Sequence, residues 1–92
     1  MNDQQMLDIF SGILRDLLGE DSIVLRMDTR RADVRGWDSF NYVNFIVGVE
    51  MRLGVKFGVA DIESFENVGE IVRRTQVLLG HRSPPSSASS RA

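Results

Sequence analysis

The sequence predicts an all-α protein, a four-helix bundle of three longer helices and one short third helix, with a long loop between the first and second helices. Three observations carry this reading. Apolar residues recur at three- and four-residue spacing in three separate segments, glycines stand where each pattern stops, and no set of three strand-like runs is present. With 92 residues the chain has room for a single core. A chain of this size buries only roughly 60 to 65% of its unfolded surface.

The first helix rests on Met6, Ile9, Phe10, Ile13, Leu14, Leu17 and Leu18, which share one face, with Asp8, Ser11, Arg15 and Asp16 between them. Asn2 or Asp3 can cap its start, and Gly19 can end it. From Glu20 to Trp37 the periodicity dissolves into mixed charge and short apolar runs such as Ile23-Val24-Leu25. Loops of this length are uncommon inside a compact domain, so the segment either packs its apolar residues on the core or serves a function.

The second helix is expected from Ser39 to about Leu53, with Gly54 as its stop. Tyr42, Ile46, Val49 and Leu53 form one continuous stripe, while Phe40, Val43, Val47 and Met51 form another about a third of a turn away. Two stripes need two kinds of neighbour: either the helix is central and packs on both sides, or the second stripe is left for a partner protein. Gly48 falls on the outward side, where glycine costs roughly 1 kcal/mol relative to alanine. It is read as a point of close approach by a partner or as a tolerated change.

Val55-Lys56-Phe57-Gly58-Val59 forms a connector, and Ala60 to Ser64 is long enough for about one helical turn. The last helix is expected from Asn67 to Leu79, turning Val68, Ile71, Val72, Thr75 and Leu78 or Leu79 inward. Glu66 and Glu70 near its start and Arg73 and Arg74 further on suit its dipole, and Gly80 suits the position just past its end. Residues 1–80 therefore read as the domain. Residues 81–92, rich in serine and holding Pro84-Pro85, read as a disordered tail. A competing arrangement pairs Ile23-Val24-Leu25 with Val55-Lys56-Phe57 as strands, but an isolated strand pair is marginal in water.

Composition narrows the function classes. Hydrophobic residues at 42% and charged residues at 26% fit a globular domain rather than a disordered or membrane-spanning chain. A formal net charge of -2 argues against nucleic-acid binding, which relies on dense positive charge. With no cysteine there is no disulfide framework, no thiolate metal site and no cysteine nucleophile. The polar N-terminus lacks the pattern of a secretory signal and no run approaches the roughly 20 apolar residues of a membrane helix, so a cytoplasmic monomer without membrane insertion is expected.

The chemistry concentrates at Gly36-Trp37-Asp38-Ser39-Phe40, where a loop ends and the second helix begins. A serine at the positive end of a helix dipole is on the surface, in a position where a phosphate on its oxygen is favoured. Four roles compete for the Asp38-Ser39 pair. It can cap the helix at a value of about 1 kcal/mol. Hydrolytic catalysis needs a base, and the sole histidine is the distant His81. The third role is a target for phosphorylation. The fourth is attachment of a prosthetic group through a phosphodiester.

Asp38-Ser39-Phe40, followed by Val43, Ile46, Val49-Glu50 and Leu53-Gly54-Val55, resembles the acyl carrier protein family. The resemblance covers about residues 3 to 80 in helix lengths, the long first loop and the order of the later segments. It implies that Ser39 carries 4′-phosphopantetheine, transferred from coenzyme A by a magnesium-dependent phosphopantetheinyl transferase, with Asp38 as the motif residue and helix cap. It also implies a carrier rather than an enzyme, whose partners are the acyl-loading and acyl-transfer enzymes. The cofactor would bring the thiol that the sequence lacks.

The chain departs from the family pattern in two places. Phe40 replaces the leucine most typical after the serine. Where many fatty-acid carriers have an acidic helix face, this chain has Asn41, Asn44, Glu50 and Met51, with Arg52 beside them. Steering by charge is consequently expected to be weak, with Phe40, Val43, Val47, Glu50 and Met51 as the partner face. A specialised lipid or secondary-metabolite pathway then fits better than housekeeping fatty-acid synthesis. Arg26, Arg30, Arg31 and Arg35, interleaved with Asp28 and Asp33, make the first loop either a solvated mixed-charge segment or an added recognition surface. Trp37 either packs the loop end onto the bundle or flanks the cofactor arm.

Overall fold

Asn2 closes the start of the first helix with a reciprocal pair of hydrogen bonds: Gln5 N–H donates to Asn2 Oδ1 at 2.8 Å, and Asn2 N–H donates to Gln5 Oε1 at 3.0 Å. The helix, α1 (Asp3–Leu18), ends at Gly19, whose φ of +66° is the left-handed geometry that a side chain resists. The computed structural model describes residues 1–81. They form an all-α four-helix bundle in which α1, α2 (Ser39–Leu53) and α4 (Val68–His81) are long and α3 (Val59–Ser64) is short.

The interior is built where the apolar faces of α1, α2 and α4 meet. Met6, Phe10, Leu14, Phe45, Val49 and Val72 are entirely buried, and Phe10 and Phe45 meet edge to face at 5.6 Å. Phe45 lies outside both stripes read from the sequence but is central to the core. Ser11, expected on the polar side of α1, is buried because its hydroxyl oxygen accepts a hydrogen bond from Leu25 N–H at 3.0 Å.

That bond shows how the long first loop is held. Ile23 and Leu25 turn inward while Val24 faces solvent, the alternation of a strand, yet the loop's polar groups meet helix side chains: Arg15 Nε donates to Ile23 O at 2.6 Å. Val55 and Phe57 alternate around Lys56 in the same way, and Phe57 N–H donates to Glu50 Oε2 at 2.8 Å. The two segments do not pair as strands among the described residues. A short 3-10 turn (Arg31–Asp33) interrupts the loop, and its neighbours supply acceptors for the otherwise free amides opening α4. Val68 N–H donates to Thr29 O at 2.8 Å, and Gly69 N–H to Met27 O at 2.7 Å.

Three further boundaries differ from the sequence expectation. α3 starts one residue earlier, at Val59. Asn67 is the cap of α4 rather than its first residue, accepting from Glu70 N–H at 2.9 Å, and the helix continues through Gly80 to His81 instead of stopping at Leu79. Gly48 faces α1 rather than a partner: a Cβ there would sit 3.0 Å from Ile13 Cγ2, so its lack of a side chain permits the close approach of α1 and α2. The tail expected at 81–92 lies outside the described residues, apart from His81 at the end of α4.

Polar contacts tie the ends together. Arg73 and Gln76 of α4 both donate to Asp3 Oδ1 at 2.8 Å, which holds the Asp3 carboxyl below the usual carboxylate range, the Gln76 bond being the larger cause. Tyr42 Oη donates to Ile62 O at 2.6 Å and Arg74 Nε to Asp61 Oδ2 at 3.1 Å, so α3, with no fully buried residue, is fastened to α2 and α4.

Candidate functional site

The loop before α2 is set by three residues in turn. Trp37 is a wedge, only 4% exposed, whose ring packs edge to face on Phe45 at 5.1 Å and lies 6.4 Å from Tyr42. Gly36, with φ of +85°, lets the chain reverse in front of it, and Asn41 Nδ2 reaches back to donate to Gly36 O at 3.0 Å. Asp38 then takes an extended conformation, and its Oδ1 accepts from Asn41 N–H at 2.9 Å. Of the two roles read for Trp37, packing the loop end onto the bundle is the one its burial displays.

Ser39 follows as the first residue of α2 and is exposed. Asp38 occupies itself with the third turn residue, so the amides of Ser39 and Phe40 remain the free donors at the positive end of the helix. Among the described residues no side chain within hydrogen-bond reach is positioned to take the Ser39 proton. The arrangement is an accessible alcohol on a rigid, electropositive shoulder, suited to being modified by another enzyme rather than to attacking a substrate unaided. No group of three or more acidic or histidine side chains that could hold a metal occurs among the described residues.

The face of α2 running away from Ser39 is apolar and open. Phe40 is 74% exposed, Val43 52%, Val47 43% and Met51 80%, a continuous strip that the bundle leaves uncovered. Glu50, grouped with them from the sequence, is turned elsewhere. Its side chain is 13% exposed, capping Phe57 N–H and lying 3.9 Å from Lys56 Nζ. The outward strip therefore has no carboxylate of its own.

Two features escaped the sequence reading. Arg31 of the first loop lies over the Tyr42 ring, 4.8 Å from its centroid, and Tyr42 is pushed above the ordinary tyrosine range by burial, with Arg31 opposing. Beside them is a cavity of about 190 Å³ walled by Trp37, Tyr42, Phe65 and Ile71. Tyr42, three residues after Ser39, could have been suspected of a polar role from its hydroxyl; the cavity needs four separate segments and has no local signal.

The same arrangement of helices occurs in a structure solved in solution by NMR, that of a holo acyl carrier protein from Geobacter metallireducens. The two share 28% sequence identity, the match covers 95% of this chain and 98% of that one, and the TM-score is 0.79. The chain is homologous to an acyl carrier protein. No protein-family model matches the sequence, and no curated protein matches it. Homology at this coverage supports a non-catalytic carrier role.

Proposed function

We propose that this chain is an acyl carrier protein that holds its cargo as a thioester on 4′-phosphopantetheine attached to Ser39 Oγ, and that it serves a specialised lipid or secondary-metabolite pathway. The observation that carries the reading is the exposed Ser39 at the first position of α2, capped by Asp38, in a chain with no thiol of its own. A phosphodiester there meets the free amides and positive dipole end of a fifteen-residue helix. A phosphopantetheinyl transferase would install the arm, and loading and transfer enzymes would then read the neutral strip of Phe40, Val43, Val47 and Met51. The absence of carboxylates from that strip supports dedicated enzymes over partners that recognise an acidic helix.

The test is the intact mass of the full chain after incubation with coenzyme A, magnesium and a broad-specificity phosphopantetheinyl transferase. One phosphopantetheine of added mass, lost in Ser39→Ala, is the expected result. No gain, or a gain that survives Ser39→Ala, would overturn the assignment and leave an unmodified helical interaction module.

A further inference from the structure

We infer that Asn41 is a positioning residue for the modification of Ser39: its side-chain amide holds the preceding loop in the shape that presents the serine to the transferase. The inference rests on the carrier reading above. Asn41 stands on the helix face where many fatty-acid carriers have acids, yet its contacts run back into its own chain. Its Nδ2 donates to Gly36 O at 3.0 Å, and its backbone N–H donates to Asp38 Oδ1 at 2.9 Å. Both acceptors precede Ser39 and the donor follows it, so the two bonds bracket the serine.

The bracket closes a segment that is already pinned at its other end. Trp37 is buried against Phe45, and its backbone N–H donates to Val34 O at 3.2 Å across the turn that Gly36 makes with φ of +85°. Between that anchor and the first turn of α2 stands only Asp38, which the Asn41 N–H engages. Ser39 Oγ thus takes its direction from a fixed frame. In the loading step that oxygen bonds to the pantetheine-bearing phosphorus of coenzyme A, the pyrophosphate P–O bond breaks, adenosine 3′,5′-bisphosphate leaves with the electron pair, and the serine proton passes to a base of the transferase. A transferase that accepts one loop shape binds the carrier more weakly by the fraction of time that shape is absent.

The residue type follows from the partner. Gly36 O is an acceptor, so an amide N–H can meet it and a carboxylate of the same size cannot. Asn41→Asp therefore keeps the shape, deletes the donor and turns an oxygen toward a carbonyl. Because a carboxylate in the first turn suits the helix dipole, the helix itself is not expected to suffer. Asn44, three residues on, makes no side-chain hydrogen bond among the described residues, so Asn44→Asp adds the same charge to α2 and leaves the bracket intact. The two substitutions separate positioning from recognition by charge.

The experiment follows loading of the full chain by intact mass, with coenzyme A, magnesium and a broad-specificity phosphopantetheinyl transferase, for the parent, Asn41→Asp, Asn41→Ala and Asn44→Asp. Both Asn41 variants are expected to raise the KM for the carrier about threefold to tenfold, the worth of one hydrogen bond, with kcat within about twofold. Asn44→Asp should stay within about twofold of the parent in both constants. In the unmodified proteins, amide hydrogen exchange at Trp37 should quicken by a similar factor in the Asn41 variants, while α1 and α4 keep the protection they have in the parent.

A KM that is unchanged in Asn41→Ala, or lowered in Asn41→Asp, would overturn the inference, as would unchanged exchange at Trp37 in Asn41→Ala. If Asn41→Asp loses its helical circular dichroism, the alanine variant decides alone. A parent that loads at Ser39 while the Asn41 variants match it removes this inference and keeps the carrier reading; a parent that never loads removes both.

Discussion

Trp37 shows how one residue can serve the site and tax the fold at once. Its ring fills the space behind the loop, but its indole N–H is buried without an acceptor among the described residues. An unsatisfied buried donor costs about 1–3 kcal/mol, which the burial of a large aromatic surface outweighs. Removing the whole ring by Trp37→Ala should therefore destabilise the bundle by about 3–5 kcal/mol in urea unfolding followed by circular dichroism. Trp37→Phe gives up area but also the orphan donor, and is expected within about 1.5 kcal/mol of the parent. Equal losses for the two would mean the N–H is satisfied in solution. None of this was legible in the sequence beyond the suggestion of an anchor, because whether an indole finds an acceptor depends on what folds around it.

Among the elements, the glycines separate what a helix wants from what its neighbours allow. Gly12 in α1 has nothing within 4 Å of where a Cβ would stand, so Gly12→Ala should stabilise by up to about 1 kcal/mol through helix propensity alone. Gly69 in the first turn of α4 has the same propensity to gain, yet its Cβ would fall 2.6 Å from the Met27 carbonyl oxygen. Gly69→Ala is accordingly expected to destabilise by about 1–3 kcal/mol, and thermal unfolding of the pair measures the difference in sign. The strip on α2 makes an opposite claim, that it does not belong to the fold. Val47→Asp and Met51→Glu should slow acyl loading or transfer and leave helical circular dichroism and melting temperature within error. Equal damage to stability would return the strip to the core. Periodicity found both stripes of α2, but it missed Phe45, which sits four residues before Val49 and close enough to the inward stripe to have been included.

For the molecule as a whole, the distribution of charge decides how it meets its enzymes. The net charge is -2, and the outward face of α2 carries no carboxylate because Glu50 is turned to Phe57. Raising salt to about 0.5 M should change the efficiency of partner enzymes by less than about threefold, whereas steering by an acidic helix is screened strongly. A steep salt dependence in steady-state kinetics would place the recognition charge elsewhere, with the arginines of the first loop as the first place to look. Helix number, the inward face of α4, part of that of α1 (Met6, Phe10 and Leu14 but not Leu7 or Ser11), a cap at Asn2 or Asp3, the cap at Asp38 and the stops at Gly19 and Gly54 were written in the sequence. Each depends on interactions within about one turn of helix, which spacing alone encodes. The inward turn of Glu50, the satisfaction of the first loop by Ser11 and Arg15, the contact of Gly48 with Ile13 and the walls of the cavity were decided only by tertiary structure. In every one of these the partners lie on different segments, and the free energy of a buried polar group or a void depends on which atoms packing brings beside it.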